Sequence, residues 1–237
     1  KTFTEGLQII GQHQDLVRLL WKDADASLSR NKVSLLINGE EKFPEVMRVL
    51  KNAKSFIHME YYIFEEDETG QAIIDILKQK VDEGLEVRVI YDDFGSHGLS
   101  DNKIEEMREA GIEIFPFYEV KFYLLANRIN YRDHRKIIIA DGEIGFIGGI
   151  NISNKYLNDG KAEKLYWRDT HLKIEGPAVG SLQYHFIANW NFCSEKTLAI
   201  HQSYFPNLFQ SEKEYEDLVQ IVAGGPDSPS SSIMLSF

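Results

Sequence analysis

Residues 31–96 read NKVSLLINGEEKFPEVMRVLKNAKSFIHMEYYIFEEDETGQAIIDILKQKVDEGLEVRVIYDDFGS, and the architecture follows from their alternation. The aliphatic run 31–38 predicts a strand. In 40–54, Phe43, Val46, Met47, Val49 and Leu50 recur at helical spacing. A strand over 55–64, an amphipathic helix over 69–84 ending near Gly84, and a strand over 85–96 that runs into an acidic turn come next. Residues 101–111 add a third helix and 112–117 a short strand. Strands alternating with helices predict an α/β fold with a mixed, largely parallel central sheet sandwiched between helices.

Downstream, the pattern changes. Residues 131–140 (YRDHRKIIIA) and 143–149 (EIGFIGG) are apolar runs separated by Asp141-Gly142, a two-residue hairpin signal that makes the sheet mixed. Residues 166–174 read as a strand, Gly176-Pro177 as a break, and 178–193 as a helix packing its aromatic and aliphatic side chains on the sheet. Near the end, LVQIVAGGPDS resembles KVSLLINGEEK, with Val33 matching Val219, Leu35 matching Ile221 and Gly39 matching Gly225. That recurrence predicts three regions: an amino-terminal amphipathic segment over 1–30, a domain over 31–217, and the start of a second, truncated copy over 218–237.

With 237 residues, 43% of them hydrophobic and 27% charged, the chain can bury a substantial core. No apolar run reaches the length that crosses a bilayer, and the start KTFTEGLQ lacks a signal peptide's apolar stretch, so the chain as given is expected to be soluble. A net charge of −11 argues against a general nucleic-acid partner, whose phosphates call for clustered Lys and Arg. Cys193, the single cysteine, lies in the run WNFC and reads as a packed, inert thiol.

His134 and Lys136 are two apart, so a strand would set both side chains on one face. After the hairpin, Gly148 and Gly149 lead to Asn151, where backbone N–H groups and the Asn amide suit a phosphate oxygen. Either piece alone is more often a solvated edge or an ordinary turn. Together, His134, Lys136, Asp141, Gly148, Gly149 and Asn151 fill the pattern His-x-Lys-x4-Asp-x6-Gly-Gly-x-Asn, which resembles the signature of the phospholipase D superfamily. The resemblance extends through NKVSLLINGEEKFPEV, IHMEYYIFEEDETG, VRVIYDDFGS, NYRDHRKIIIADGEIGFIGGINISNKYL and WRDTHLKIEGPAV, and over these stretches the chain is similar to bacterial cardiolipin synthases, as their first catalytic half.

That similarity implies one mixed sheet between helical layers per half, two halves per enzyme, and a site where their motifs meet. One motif histidine would attack the phosphorus of a phosphodiester to give a phosphohistidine, and the other would protonate the leaving alcohol. By the resemblance His134 is the imidazole of this half, Lys136 and Asn151 hold phosphoryl oxygens, Gly148 and Gly149 border the substrate, and no metal or other cofactor is needed. A neutral imidazole is nucleophilic near pH 7, and a cation with neutral donors stabilises the charge gathering on phosphorus. Asp141, at the turn, is better placed to fix the hairpin than to meet substrate. Asp169 stands where the superfamily carries a carboxylate that orients the imidazole; its alternative is a surface strand residue paired with Arg168.

Glu60, Asp92 and Asp93 lie towards the carboxyl ends of predicted strands, where they could orient Lys136 or bind glycerol hydroxyls; Asp92 and Asp93 could equally cap turns, which explains Glu60 on its apolar strand less well. His58 with Glu60 and His97 with Asp93 match no common metal-ligand spacing. The implied activity is phosphatidyl transfer between phosphatidylglycerol molecules, at the bacterial cytoplasmic membrane in the whole protein. The site would be completed by the second half of the same chain or by a homodimer partner. Hydrolysis of a phospholipid or nucleic-acid phosphodiester, and a catalytically silent interaction module, are the alternatives.

Overall fold

The computed structural model describes residues 11–24, 26–118, 132–158, 165–208 and 215–224. Helix α1 (Gln14–Ala24) precedes strand β1 (Leu28–Ile37). Then come α2 (Asn38–Asn52), β2 (Phe56–Tyr61), α3 (Glu68–Asp82), β3 (Glu86–Tyr91), α4 (Asp101–Glu109), β4 (Glu113–Pro116), β5 (Lys136–Ala140), β6 (Ile144–Gly148), β7 (Thr170–Glu175), α5 (Ala178–Cys193) and β8 (Asp217–Gln220). The predicted helices and strands of 31–193 all form, with ends shifted by a few residues. Helix starts follow local chemistry. Asp67 accepts a hydrogen bond from the Gly70 N–H to cap α3, and Ser100 does the same for Lys103 in α4.

The eight strands form one sheet in the order β4-β3-β2-β5-β6-β7-β1-β8. It is mixed, as expected, but less parallel than the sequence suggests, since only β2–β3 and β3–β4 pair in parallel. β5 pairs antiparallel with β2 and β6, and β7 antiparallel with β6 and β1. The registers make β1, β2, β3, β4 and β6 run one way. The helical crossover from β1 to β2 therefore is of the expected kind, but the hairpin strands and β7 insert between its two ends and convert most contacts to antiparallel.

One face carries α2, α3 and α4 over a core including Phe43, Val46, Leu50, Ile73, Ile74, Leu77 and Met107. The other carries α5, whose Val179, Leu182, Phe186 and Trp190 cover Phe56, Ile90, Ile137 and Ile139. Each such side chain, once fully buried, contributes about 1.5–3 kcal/mol of transfer free energy. In α1, Val17 and Leu20 are buried, so the apolar side of the amphipathic segment packs on the domain, whereas Leu7–Ile10 lie outside the described residues. β8 runs antiparallel beside β1, with Leu28 opposite Gln220 and the Val33 N–H bonded to the Asp217 carboxylate at 2.8 Å. The segment assigned to a second copy thus contributes an edge strand to this sheet. Gly225 and the rest of 225–237 lie outside the described residues.

Candidate active site

Because β2, β3 and β6 run the same way, their carboxyl ends share one sheet edge with the starts of β5 and β7. All the motif residues except Asp141 collect there. The ladder between β2 and β5 ends at the Tyr61–Lys136 pair, and the Tyr62 N–H still reaches the Arg135 carbonyl at 3.0 Å. His134 therefore precedes the strand instead of lying in it. The chain is drawn away one residue earlier, where the Asp133 N–H donates to the Asp92 carboxylate at 3.0 Å.

His134 is exposed and its imidazole stacks on the Tyr62 ring, with centroids 3.9 Å apart and planes 20° apart. Lys136 is buried. Its ammonium donates to the His134 carbonyl and lies 5.0 Å from the centre of the same tyrosine ring. Burial draws the Lys136 pKa below the usual lysine value, and the charges of Asp133, Asp169 and Asp92 oppose that shift. The two side chains therefore do not share a strand face as expected; the cation is tied to the backbone carbonyl of His134 instead.

Gly148 and Gly149 are required by close approach. A Cβ on Gly148 would lie 2.5 Å from His171 Nδ1, and one on Gly149 would lie 2.2 Å from an Asp169 carboxylate oxygen. The missing side chains let the start of β7 cross over the end of β6, where the Gly149 N–H donates to the Thr170 carbonyl at 2.9 Å. Asp169 is half-buried. Its carboxylate accepts from the Thr170 N–H at 2.7 Å, and its backbone is held by Asn38 in both directions.

The Asn151 amide is largely committed. Its oxygen accepts from the Ile63 N–H at 3.1 Å, and its nitrogen donates to the Tyr156 hydroxyl at 2.7 Å, which leaves one amide hydrogen for another acceptor.

Two residues that the sequence reading did not single out stand in this cluster. Lys42, on the first turns of α2, is fully buried and donates to the carbonyls of Ile150 (2.9 Å) and Asn151 (3.2 Å), with the Phe43 and Tyr61 rings within 5 Å. Burial pushes its pKa far down, Asp169 opposes that, and Lys136 adds to it. His171 is fully buried, and neither ring nitrogen has a hydrogen-bond partner. Burial, then the charges of Lys42 and Lys136, hold this imidazole neutral. A helix-periodic charged residue reads as solvent-facing, so nothing in the pattern marked Lys42. His171 was hidden in a strand whose polar and apolar positions alternate.

The remaining candidates lie elsewhere. Glu60 is fully buried on the α5 face, bonded to Arg135 and Asn189, one residue out of phase with Tyr61, whose side of the sheet Lys136 shares. Burial, then the neighbouring Asp133, raise its pKa, and Arg135 and Asn189 oppose that. Glu60 therefore faces away from Lys136, and the carboxylates whose charges act on that lysine are Asp133, Asp169 and Asp92. Asp92 accepts from the Gly95 N–H at 2.8 Å as well as from Asp133, which makes it a loop organiser. Asp93 beside it is half-buried, and His97 is exposed with a ring nitrogen 3.3 Å from the Phe94 carbonyl.

Asp141 sits at the opposite sheet edge, accepting from the backbone N–H groups of Lys54, Ser55 and Phe56. His58 is a core histidine between Gln183 and Phe186, its pKa driven down to about 3 by burial and then by Arg88. Cys193 is half-buried, its pKa pushed up to about 12 mainly by burial. Among the described residues no cluster of His, Cys, Asp and Glu could hold a metal ion.

The chain as a whole has counterparts among known proteins. A family described as cardiolipin synthase, phospholipase D-like domain, matches residues 46–186. Cardiolipin synthase 2 of Bacillus anthracis is 45% identical over 223 residues, covering 92% of this chain and 42% of the relative. For cardiolipin synthase 1 of Staphylococcus aureus the values are 41% over 221 residues, 92% and 44%. The chain thus spans less than half the length of the curated relatives it matches. Among solved structures, NucT from Helicobacter pylori superposes with a TM-score of 0.54 at 19% identity, over 69% of this chain and 98% of that one. The phosphatidylserine synthase of Haemophilus influenzae gives 0.57 at 16% identity, over 87% and 51%. At those identities the superpositions speak to the fold. The family match over more than half of the residues goes further: the chain belongs to the cardiolipin synthase, phospholipase D-like domain family.

Proposed function

We propose that this chain supplies one of two motif halves of an enzyme that transfers a phosphatidyl group between phosphatidylglycerol molecules, yielding cardiolipin and glycerol. The observation that carries the reading is the convergence of an exposed imidazole, His134, with the buried cation Lys136 tied to its own backbone. In this reading a His134 nitrogen attacks the phosphorus of one phosphatidylglycerol and a P–N bond forms. The P–O bond to the headgroup glycerol breaks, and the histidine of the second motif gives that oxygen a proton. The same second histidine then takes the proton of a hydroxyl on another phosphatidylglycerol, whose oxygen displaces His134. The two histidines can exchange these roles.

Lys136 and the free Asn151 amide hydrogen stabilise the charge on the five-coordinate phosphorus. Lys42 supports the arrangement by gripping the carbonyls of Ile150 and Asn151. Asp169 orients the imidazole through its second nitrogen, a pairing that fixes the tautomer. The second motif comes from a further half of the same polypeptide, one that a second copy beginning near Leu218 would open, or from a homodimer partner. The lipid substrates place the whole enzyme at the bacterial cytoplasmic membrane. Among the described residues no helix is long and apolar enough to cross it.

The test uses the protein that contains this chain together with its second motif, on phosphatidylglycerol vesicles, with mass spectrometry of the products. Cardiolipin and glycerol in equal amounts, both lost in His134→Ala, are expected. Phosphatidic acid in place of cardiolipin would turn the reading to hydrolysis, and wild-type turnover by His134→Ala would remove His134 from the chemistry.

A further inference from the structure

His134 lies outside the strand ladder, is exposed, and turns about two side-chain torsions, so something other than the sheet has to hold its ring. We infer that Tyr62 is the positioning residue for His134, its ring serving as a platform that fixes the plane of the imidazole above Lys136, and that Gly95 is glycine to make room for that platform. The inference rests on the reading of His134 as a catalytic imidazole.

The contact is a stack, with centroids 3.9 Å apart and planes 20° apart, and Lys136 Nζ lies 5.0 Å from the same ring. One aromatic ring thus contacts both motif side chains, and its electron-rich face attracts the cation. Tyr62 is itself fixed from three directions. Its N–H donates to the Arg135 carbonyl at 3.0 Å, beside His134, and its carbonyl accepts from the Ser96 hydroxyl at 3.1 Å. Below, a Cβ on Gly95 would fall 2.2 Å from the Tyr62 carbonyl oxygen and 2.8 and 2.9 Å from ring carbons Cε2 and Cδ2.

Gly95 is not among the residues with positive φ, so space, not backbone conformation, excludes a side chain there. The fully buried Asp92 ties the device together: one carboxylate oxygen accepts from the Gly95 N–H under the platform, and the other accepts from the Asp133 N–H next to His134. Platform and imidazole therefore hang from one carboxylate.

Two readouts separate this role from a general effect on folding. In this chain, with histidines isotopically labelled and His134 assigned by its loss in His134→Ala, the ring protons of His134 should resonate upfield because of the stacked tyrosine. Tyr62→Phe keeps the shift, whereas Tyr62→Leu and Tyr62→Met, two apolar replacements of different shape, lose it while the other histidine signals stay in place. In the protein carrying both motifs, Tyr62→Leu should lower kcat by about 10- to 100-fold, the scale of a misplacement near 1 Å, with little change in KM. Tyr62→Phe should restore the rate. An unchanged His134 signal in both apolar variants overturns the platform, as does a Phe variant as slow as the Leu variant, which would assign the effect to the hydroxyl. If the spectra behave as expected but His134→Ala still turns over, the platform stands and the catalytic reading of His134 falls.

Discussion

At the residue scale the chain keeps several titratable groups in states they would not hold in water, and each leaves a signature in stability. His58 is fully buried against Phe186 and Gln183, with its folded pKa down to about 3. In the unfolded chain a histidine binds its proton near 6.5. The unfolded state therefore holds more protons than the folded one between about pH 6.5 and 3, and the stability due to neutral His58, complete above 6.5, is lost as the pH falls through that window. His171 has the same sign. Glu60, its pKa raised by burial, has the opposite one, since its contribution is present at low pH and lost as the pH rises through its raised value.

These effects partly cancel in the wild type but not in a difference between variants. The slope of unfolding free energy against pH between 6 and 4.5 should be shallower in His58→Gln than in wild type by about 1.4 kcal/mol per pH unit, one histidine's share. Urea unfolding across that range measures it, and parallel slopes would mean that His58 takes up its proton in the folded state. From sequence, His58 read only as half of an ill-spaced metal pair. Its actual role depends on α5 arriving from more than 120 positions away, which periodicity does not report.

At the scale of elements, the β5–β6 hairpin shows how a motif residue can serve the fold. Asp141 and Gly142 both have positive φ, the backbone that Asp-Gly favours, and the Glu143 N–H closes the turn on the Ala140 carbonyl at 3.0 Å. The loop has three residues rather than the expected two, because Ala140 pairs with Ile144. From the tip, the Asp141 carboxylate clasps the N–H groups of Lys54, Ser55 and Phe56 where the chain enters β2, while the Asp141 N–H donates to the Phe56 carbonyl at 3.0 Å. The hairpin is thereby locked in register against the strand that ends at Tyr61 in the site. Asp141→Ala removes the acceptor and places alanine in a left-handed conformation, and should cost about 2–4 kcal/mol. Asp141→Asn keeps one acceptor and tolerates that backbone, and should cost about half as much. Urea midpoints for the two variants give the comparison, and equal losses would show that the charge alone matters. The hairpin and the helix–strand alternation were legible because they are local. The interleaving of β5, β6 and β7 between β1 and β2, which replaces a largely parallel sheet with a mostly antiparallel one, is a long-range choice that local patterns leave open.

For the whole molecule the decisive question is how many usable imidazoles it brings. All seven histidines fall within the described residues. His58 is sealed in the α5 core, and His185 lies on α5, with its pKa lowered by burial and then by Arg135. His13 is in the short turn before α1, His201 bonds Ser203, and His97 is held at the Phe94 carbonyl. His171 is at the site, yet burial beside Lys42 and Lys136 keeps it from carrying a proton near neutral pH, which disqualifies it as the acid that must protonate a leaving alkoxide. Under the proposed function, which needs a nucleophile and an acid, His134 is then the one imidazole left to serve. This chain alone, held monomeric, should make no measurable cardiolipin from phosphatidylglycerol vesicles. Activity should appear when the second motif is supplied on the same polypeptide or through a dimer, and in the dimer case it should rise with the square of concentration. Sedimentation run beside the lipid assay links the two quantities. Sustained transfer by a sample shown to be monomeric would mean that a second proton donor operates within this chain, and His171 would be the first residue to substitute.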